Sequence, residues 1–296
     1  MDWDKLRVFH AVADAGSFTH AGEKLNLSQS AVSRQISALE ESLKVPLFHR
    51  HARGLILTEQ GELLFRTARE VFAKLSMTEA QLSESKDHAR GPLKITTTVA
   101  FGSTWLTPRV REFLTAYPEI DLTVLIDDEE LDLGMREADV AIRMTPPRQP
   151  DLIQRHLMTV KIHIFGSVDY LKRNGIPQTL DDLNKHSIII YGEDARGPIA
   201  DINWLAHVGS PPPGGRKIAL RVNNQYAIYR AVRSGLGLAA LPDFMVDPTL
   251  NVVRVLPEVT GPTTEAYFVY AEELRHSKRI AVFRDFLVRK VAESKF

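Results

Sequence analysis

Between Ser28 and Leu43 the apolar residues Val32, Ile36, Leu39 and Leu43 recur at helical spacing. The stripe is narrow, and the face opposite reads Ser30, Ser33, Arg34 and Ser37, with Gln29 at the amino end. Amphipathic helices ordinarily turn charged residues to water, whereas this one offers short hydroxyls, amides and a guanidinium. Small hydroxyls let a helix sit deep in a major groove, and Gln and Arg can grip a base edge with two hydrogen bonds. A helix N-terminus adds free N–H groups that favour phosphate. A serine-rich solvent face is the plainer alternative, so the flanking segments must decide.

Upstream, Leu6, Phe9 and Ala13 predict a helix that stops at Gly16, and Ser17 caps a second carrying Phe18, Ala21 and Leu25. After Asn26-Leu27, Ser28 caps the third. Downstream, Val45 to Phe48, a basic turn over residues 49–54 and Leu55-Ile56-Leu57 predict a β-hairpin wing, its arginines suited to phosphates or the minor groove. His49 and His51 lack carboxylate or thiol partners nearby and are expected to be wing surface, not metal ligands. Thr58 then caps a helix to about His88, along which Leu64, Ala68, Val71, Leu75, Thr78 and Leu82 alternate by four and three. That is a coiled-coil seam, and dimerisation through it is favoured over an intramolecular face.

Net charge is zero, so only local charge can support nucleic-acid binding. Lys24, Arg34, Lys44, Arg50 and Arg53 stand against Glu40 and Glu41 in this stretch. The chain of 296 residues suits two or three domains, and its 44% apolar and 25% charged residues are those of a globular protein. Cysteine is absent, which excludes disulfides, thiolate metal sites and thiol redox sensing and fits a reducing compartment. With no signal-peptide pattern and no membrane-length apolar run, the cytoplasm is the expected location.

Ala89-Arg90-Gly91-Pro92 reads as a hinge. Beyond it, strands are expected at 93–99, 120–126, 140–144, 161–165, 187–191, 218–222, 237–241 and 266–271, with helices at 106–116, 226–234 and 280–292. Such alternation predicts open, parallel-type α/β sheets whose ligands lie beyond strand C-termini.

The run Gly16-Ser17-Phe18, Ala21, Leu25, Ser28 through Ile36, Leu39-Glu40, Leu47-Phe48, Arg50 and Leu57-Thr58-x-x-Gly61 resembles the signature of LysR-type transcriptional regulators. In appearance it is closest to the LsrB/VtlR-like subgroup. Ala138 to Arg143, Ala231-x-x-x-Gly235-Leu236-Gly237-Leu238-x-x-Leu241-Pro242 and Tyr267-x-Val269-Tyr270 extend the likeness along nearly the whole chain. The resemblance implies an N-terminal all-α winged helix-turn-helix (residues 1–58) and a linker helix (59–88). It further implies a C-terminal α/β effector domain like periplasmic binding proteins, with subdomain I over 92–161 and 268–296 and subdomain II over 162–267. Gln29, Ser30, Ser33 and Arg34 would face operator DNA, Ser30 standing where the family often has proline. Arg53 would reach the backbone or minor groove, and Gln35 and Arg50 complete the DNA-binding set. A small-molecule effector would lie between the subdomains. One lip is formed by Thr97, Thr98, Ala100, Phe101 and Ser103, the other by Asn223, Asn224 and Gln225.

Helix N-termini and uncharged donors on both lips suit a carboxylate or phosphate, so an anionic effector is expected. Thr96-Thr97-Thr98 could equally be a β-branched strand with no ligand role, and Arg143 could meet an anion or bond within the sheet. The further implications are a homodimer, a homotetramer built as a dimer of dimers that bends its operator, and RNA polymerase as a candidate partner. No cofactor or membrane partner is expected.

Several motifs mislead. Gly235 to Ala240 fits Gly-x-Gly-x-x-Ala, but a helix precedes and a strand follows, the reverse of a dinucleotide site. Asp127 to Glu130 with Asp132 lacks calcium-loop spacing and reads as a solvated loop near the cleft; Pro211 to Gly215 is a turn. No nucleophile elbow, zinc-protease or phosphate-loop motif occurs, so no catalytic residue is expected. Two rival classes are an α/β enzyme with a helical appendage, which metabolite turnover would reveal, and a ligand-free architectural DNA binder, which no metabolite would stabilise. The serine/arginine face and basic wing argue against the first, and the cleft-like C-terminal region against the second.

Overall fold

Short-range cap chemistry sets the N-terminal helices. Asp2 accepts the Asp4 N–H at 2.9 Å to open α1 (Trp3–Ala15), which Gly16 closes at φ 60°. Ser17 opens α2 (Phe18–Leu25), and Ser28 accepts the Ala31 N–H at 3.2 Å to open α3 (Gln29–Leu43). Their apolar faces meet in a core that includes Phe9, Val12, Ala21, Val32, Ile36 and Leu39. The wing follows as the antiparallel pair β1 (Phe48–His51) and β2 (Gly54–Leu57), with Phe48 opposite Leu57.

This computed structural model describes residues 2–51, 54–83, 88–146, 149, 151–192, 200–247 and 249–294, in two units, Met1–Ser83 and Glu84–Phe296. Helix α4 (Glu59–Ser83) starts where Thr58 Oγ1 accepts the Gly61 N–H at 3.0 Å. The expected continuation over residues 84–87 lies outside the described residues, and His88 is not helical. The expected seam divides. Ala68 is fully buried and Leu64 partly buried in the unit's own core with Phe65 and Phe72, whereas Leu75 is 43% exposed. The side chain of Leu82 lies outside the described residues.

The larger unit has two lobes. In chain order the first contributes β3 (Gly91–Thr97), the short α5 (Val99–Phe101), a π-turn over Gly102–Leu106, α6 (Thr107–Ala116), β4 (Ile120–Ile126), β5 (Val140–Arg143) and β6 (Leu152–Val160). The second is built from β7 (Ile162–Ser167), α7 (Val168–Asn174), β8 (Ile188–Tyr191), β9 (Ile218–Val222), α8 (Gln225–Arg233), β10 (Ala239–Pro242) and β11 (Val252–Val255). The chain then returns with β12 (Thr264–Ala271) and ends in α9 (Lys278–Glu293).

The first sheet runs β4-β3-β5-β12-β6, and the second lobe holds β10-β7-β11 and β8-β9. A parallel bridge between Ile188 and Leu238 joins these last two sets. The sheets are mixed rather than of the expected parallel type: β3 pairs parallel with β4 and β5, while β12 runs against β5 and β6, and β7 against β10 and β11. The unexpected elements are β6, β11 and α7. Only Lys161 separates β6 from β7, and the returning Thr264 lies opposite Val160, so two adjacent crossings join the lobes. The sequence-based divisions thus fall just after β6 and inside β12.

Candidate functional site

The polar face of α3 stands clear of the core. Gln29, Ser30, Arg34 and Ser37 are exposed and Ser33 is half-buried, while Val32, Ile36 and Leu39 on the other side are fully buried. Arg34 has no hydrogen-bond or ion-pair partner among the described residues, so its guanidinium keeps every donor free. Gln35 differs from its neighbours, being half-buried with Oε1 sealed and unpartnered. Lys24 spends its charge on Asp14 at 2.9 Å, which trims the local basic surplus expected from sequence.

Glu40, counted above only as a negative charge, has a structural task. Its Oε1 accepts the N–H groups of Leu47 and Phe48 at 2.7 and 3.3 Å, pinning the start of the wing to α3. Arg53 and the side chain of Arg50 lie outside the described residues. His49 is exposed.

In the larger unit, a cavity of about 30 Å³ lies where the lobes meet. Its floor is the double crossing, with Met144, Val160, Ile162 and Thr264. The first lobe adds Thr98 and Ala100 from the β3–α5 junction; the second adds Ile202, Gln225, Pro242 and Phe244. Thr98, Ala100 and Gln225 were expected at the cleft from sequence; the hydrophobic floor was not. Thr97 faces the sheet instead, giving its hydroxyl to Ile142 O at 3.2 Å. Phe101 is fully buried, stacked on Trp105 at 4.8 Å between ring centroids and edge-on to Phe244. Ser103 is half-buried in the π-turn, Asn223 is exposed, and Asn224 caps α8 by accepting the Ala227 N–H at 3.0 Å.

Arg143 resolves its two alternatives by bonding internally. The side chain is 6% exposed and donates to Asp127 O, Glu129 O and Thr96 Oγ1 at 2.8–3.1 Å. Asp128, read from sequence as part of a solvated loop, is half-buried and accepts the Val99 N–H at 3.0 Å. Burial raises its carboxyl above the ordinary value, and the neighbouring charge of Asp127 adds to the rise. Across the lobes, burial and then the Asp128 charge push the Tyr191 phenol up to about 12. Among the described residues no cluster of His, Asp or Glu could hold a metal ion, and no helix is long and apolar enough to cross a membrane.

A three-helix unit with a hairpin wing, followed by two α/β lobes around a cleft, is the architecture of a ligand-controlled DNA-binding regulator. Comparison with known proteins agrees at both ends of the chain. Residues 3–62 match the family described as bacterial regulatory helix-turn-helix protein, lysR family, and residues 86–292 match the LysR substrate binding domain. An HTH-type transcriptional regulator of Xanthomonas campestris pv. campestris is 31% identical over 98% of this chain and 86% of its own. Among solved structures, the Vibrio cholerae virulence activator AphB superposes with a TM-score of 0.61 at 25% identity, covering 98% of this chain and 99% of its own. LysG of Corynebacterium glutamicum, solved with its effector Arg bound, has a TM-score of 0.59 at 25% identity and covers 99% of both chains. The chain belongs to the LysR family of DNA-binding transcriptional regulators and carries that family's effector-binding domain.

Proposed function

We propose that α3 enters the major groove of an operator, with Gln29, Ser30, Ser33 and Arg34 reading base edges and Gln35 at the margin of that contact. Arg50 and Arg53 on the wing hold phosphates or the minor groove. The observation that carries this reading is the division of α3, whose apolar stripe is sealed while Arg34 stands exposed with all its donors free. Two chains joined through α4 read two half-sites of an imperfect palindrome, and a dimer of dimers bends the DNA between them. The location that goes with this work is the cytoplasm, with RNA polymerase as a further partner. Affiliation with the LsrB/VtlR-like subgroup rests on sequence appearance alone.

Control comes from a small molecule in the interlobe cleft, contacted by Thr98, Ala100 and Gln225. Thr97, Phe101, Ser103, Asn223 and Asn224 shape the lips around it. Such a ligand shifts DNA binding only by its differential affinity for two arrangements of the assembly, typically about 1–3 kcal/mol.

The test separates contact types. Arg34→Ala is expected to cost about 1–3 kcal/mol and relax base preference, whereas Arg53→Ala weakens all sequences evenly and reduces the salt slope. Titrations on matched and scrambled operators at several salt concentrations decide. Equal losses on both duplexes for both variants would overturn the assignment.

A further inference from the structure

The two lips, read from sequence, offer helix N-termini to an anion. In the folded chain three of those donors are already engaged by the protein's own oxygens. Asp128 Oδ1 holds the Val99 N–H at 3.0 Å, Thr98 Oγ1 takes the Phe101 N–H at 3.4 Å, and Asn224 Oδ1 takes the Ala227 N–H at 3.0 Å. Arg143 is committed to Asp127 O, Glu129 O and Thr96 Oγ1. None of the described residues lining the cavity is charged. An ionised carboxylate entering there would lose its hydration and meet no cation among the described lining residues.

The polar atoms that remain have a definite pattern. Thr264 gives its hydroxyl to Met144 O at 2.6 Å. Gln225 is only 4% exposed, and its Nε2 donates to Ala240 O at 3.0 Å. That bond fixes the orientation of the amide, because the opposite one would set two acceptors face to face. Oε1 is left buried, without a partner, on a cavity-lining residue. A buried unsatisfied acceptor is costly, and a ligand that supplies a donor removes that cost. The hydroxyl of Thr98, which accepts from Phe101, keeps its own proton to give.

We propose that the effector of this cleft is an uncharged, mainly apolar molecule carrying a hydroxyl or N–H group, which it donates to Gln225 Oε1. The apolar part rests on Met144, Val160, Ile162 and Phe244, and an oxygen of the polar group can accept from Thr98. At about 30 Å³ the cavity has room for a water or two. A larger ligand therefore parts the lobes as it enters, which is the motion a regulator requires. The proposal rests on the reading of the cleft as the effector site, and replaces the anion expected from sequence.

The test uses the full-length protein and matched probes: benzyl alcohol, cyclopentanol and butyramide against benzoate, cyclopentanecarboxylate and butyrate, with toluene as the member without a donor. Calorimetric titration is expected to show the alcohols or the amide binding at least tenfold more tightly than their carboxylates and than toluene. Gln225→Leu should abolish that preference over toluene. Ala100→Val leaves the amide in place but fills the cavity, and should weaken all neutral probes together, so a folding defect in the first variant leaves the test intact. Carboxylates binding more tightly than their neutral partners, or no neutral probe binding at millimolar concentration, overturns the proposal. Operator titrations in the same solutions keep the two readings apart. Carboxylate binding that alters operator affinity keeps the regulator and removes the neutral ligand; neutral binding that leaves operator affinity unchanged does the reverse.

Discussion

The carbonyl oxygen of Leu47 lies 2.1 Å from where a β-carbon on Gly61 would stand. The wing and α4 are thus joined by a backbone contact that only glycine admits. Thr58 completes the joint, its N–H donating to Leu47 O at 2.9 Å and its hydroxyl to Pro46 O at 2.8 Å. A methyl group at position 61 would force backbone to move, because the atom in its way belongs to the main chain. Gly61→Ala is expected to destabilise the DNA-binding unit by about 1–3 kcal/mol and to weaken operator binding, as the wing is displaced. Urea denaturation followed by circular dichroism, with operator titration alongside, checks both. A variant as stable as the parent would show that the joint can yield.

Glu40 ties the same wing from the other side. Its carboxylate takes two consecutive backbone N–H groups, those of Leu47 and Phe48. Hydrogen bonds to a charged group are each worth about 1.5–3 kcal/mol, and removing this acceptor leaves both donors unsatisfied. Glu40→Ala is therefore expected to lose at least about 1.5–3 kcal/mol of stability, although it also removes a negative charge from the DNA-reading helix. An electrostatic role alone would predict tighter DNA binding and unchanged stability. Measuring both quantities tells the two apart.

How much of this was legible in the sequence follows from the range of the interactions involved. Ser17, Ser28 and Thr58 were readable as caps because each bonds an N–H three residues ahead. Gly235 and Gly237 were readable as a false dinucleotide site from element order, and the structure supplies their work. Gly235 adopts φ +79° just beyond α8, and Gly237 lets Ser187 O approach within 2.4 Å of its would-be β-carbon. Strand β6 was missed because it is an edge strand with an exposed run, Gln154-Arg155-His156, that breaks apolar alternation. The hydrophobic floor of the cleft was out of reach for a different reason. Met144, Val160, Ile162 and Thr264 come together only because β12 pairs back onto β6, a contact more than a hundred residues long in sequence. Asp128 likewise looked solvated until Val99, far from it in the chain, was placed against it.

That placement has a pH consequence. Burial holds the Asp128 carboxyl above its ordinary 3.8, outweighing the Val99 N–H, which pulls the other way. A carboxyl raised on folding takes up a proton between its unfolded and folded values, so stability falls as pH climbs from the ordinary 3.8 through the raised folded value. Asp128→Asn keeps an oxygen for Val99 and removes the buried charge. The variant is expected to be more stable than the parent at pH 7 and to lose that part of the pH slope. Denaturation midpoints of the effector unit from pH 3.5 to 7 decide, and parallel curves for the two proteins would refute the account.

Arg216 supports the second lobe in the way Glu40 supports the wing. The residue is 5% exposed, and its guanidinium donates to Asn184 Oδ1 at 3.0 Å, Leu205 O at 2.9 Å and Val208 O at 2.6 Å. These acceptors belong to two separate stretches, a 3-10 turn over Asp181–Lys185 and another over Trp204–Ala206 with the residues just after it, so one planar group with a fixed fork of donors sets their spacing. Arg216→Met would fill much of the same volume yet strand the acceptors, for which a loss of at least about 1.5–3 kcal/mol is expected. Arg216→Lys should recover only part, since an ammonium presents its donors from a single point. Because Arg216 lies in the larger unit, the loss should fall on that unit's unfolding transition and leave the DNA-binding unit's transition in place. A lysine variant as stable as the parent would mean that charge alone, and not the fork, holds these loops.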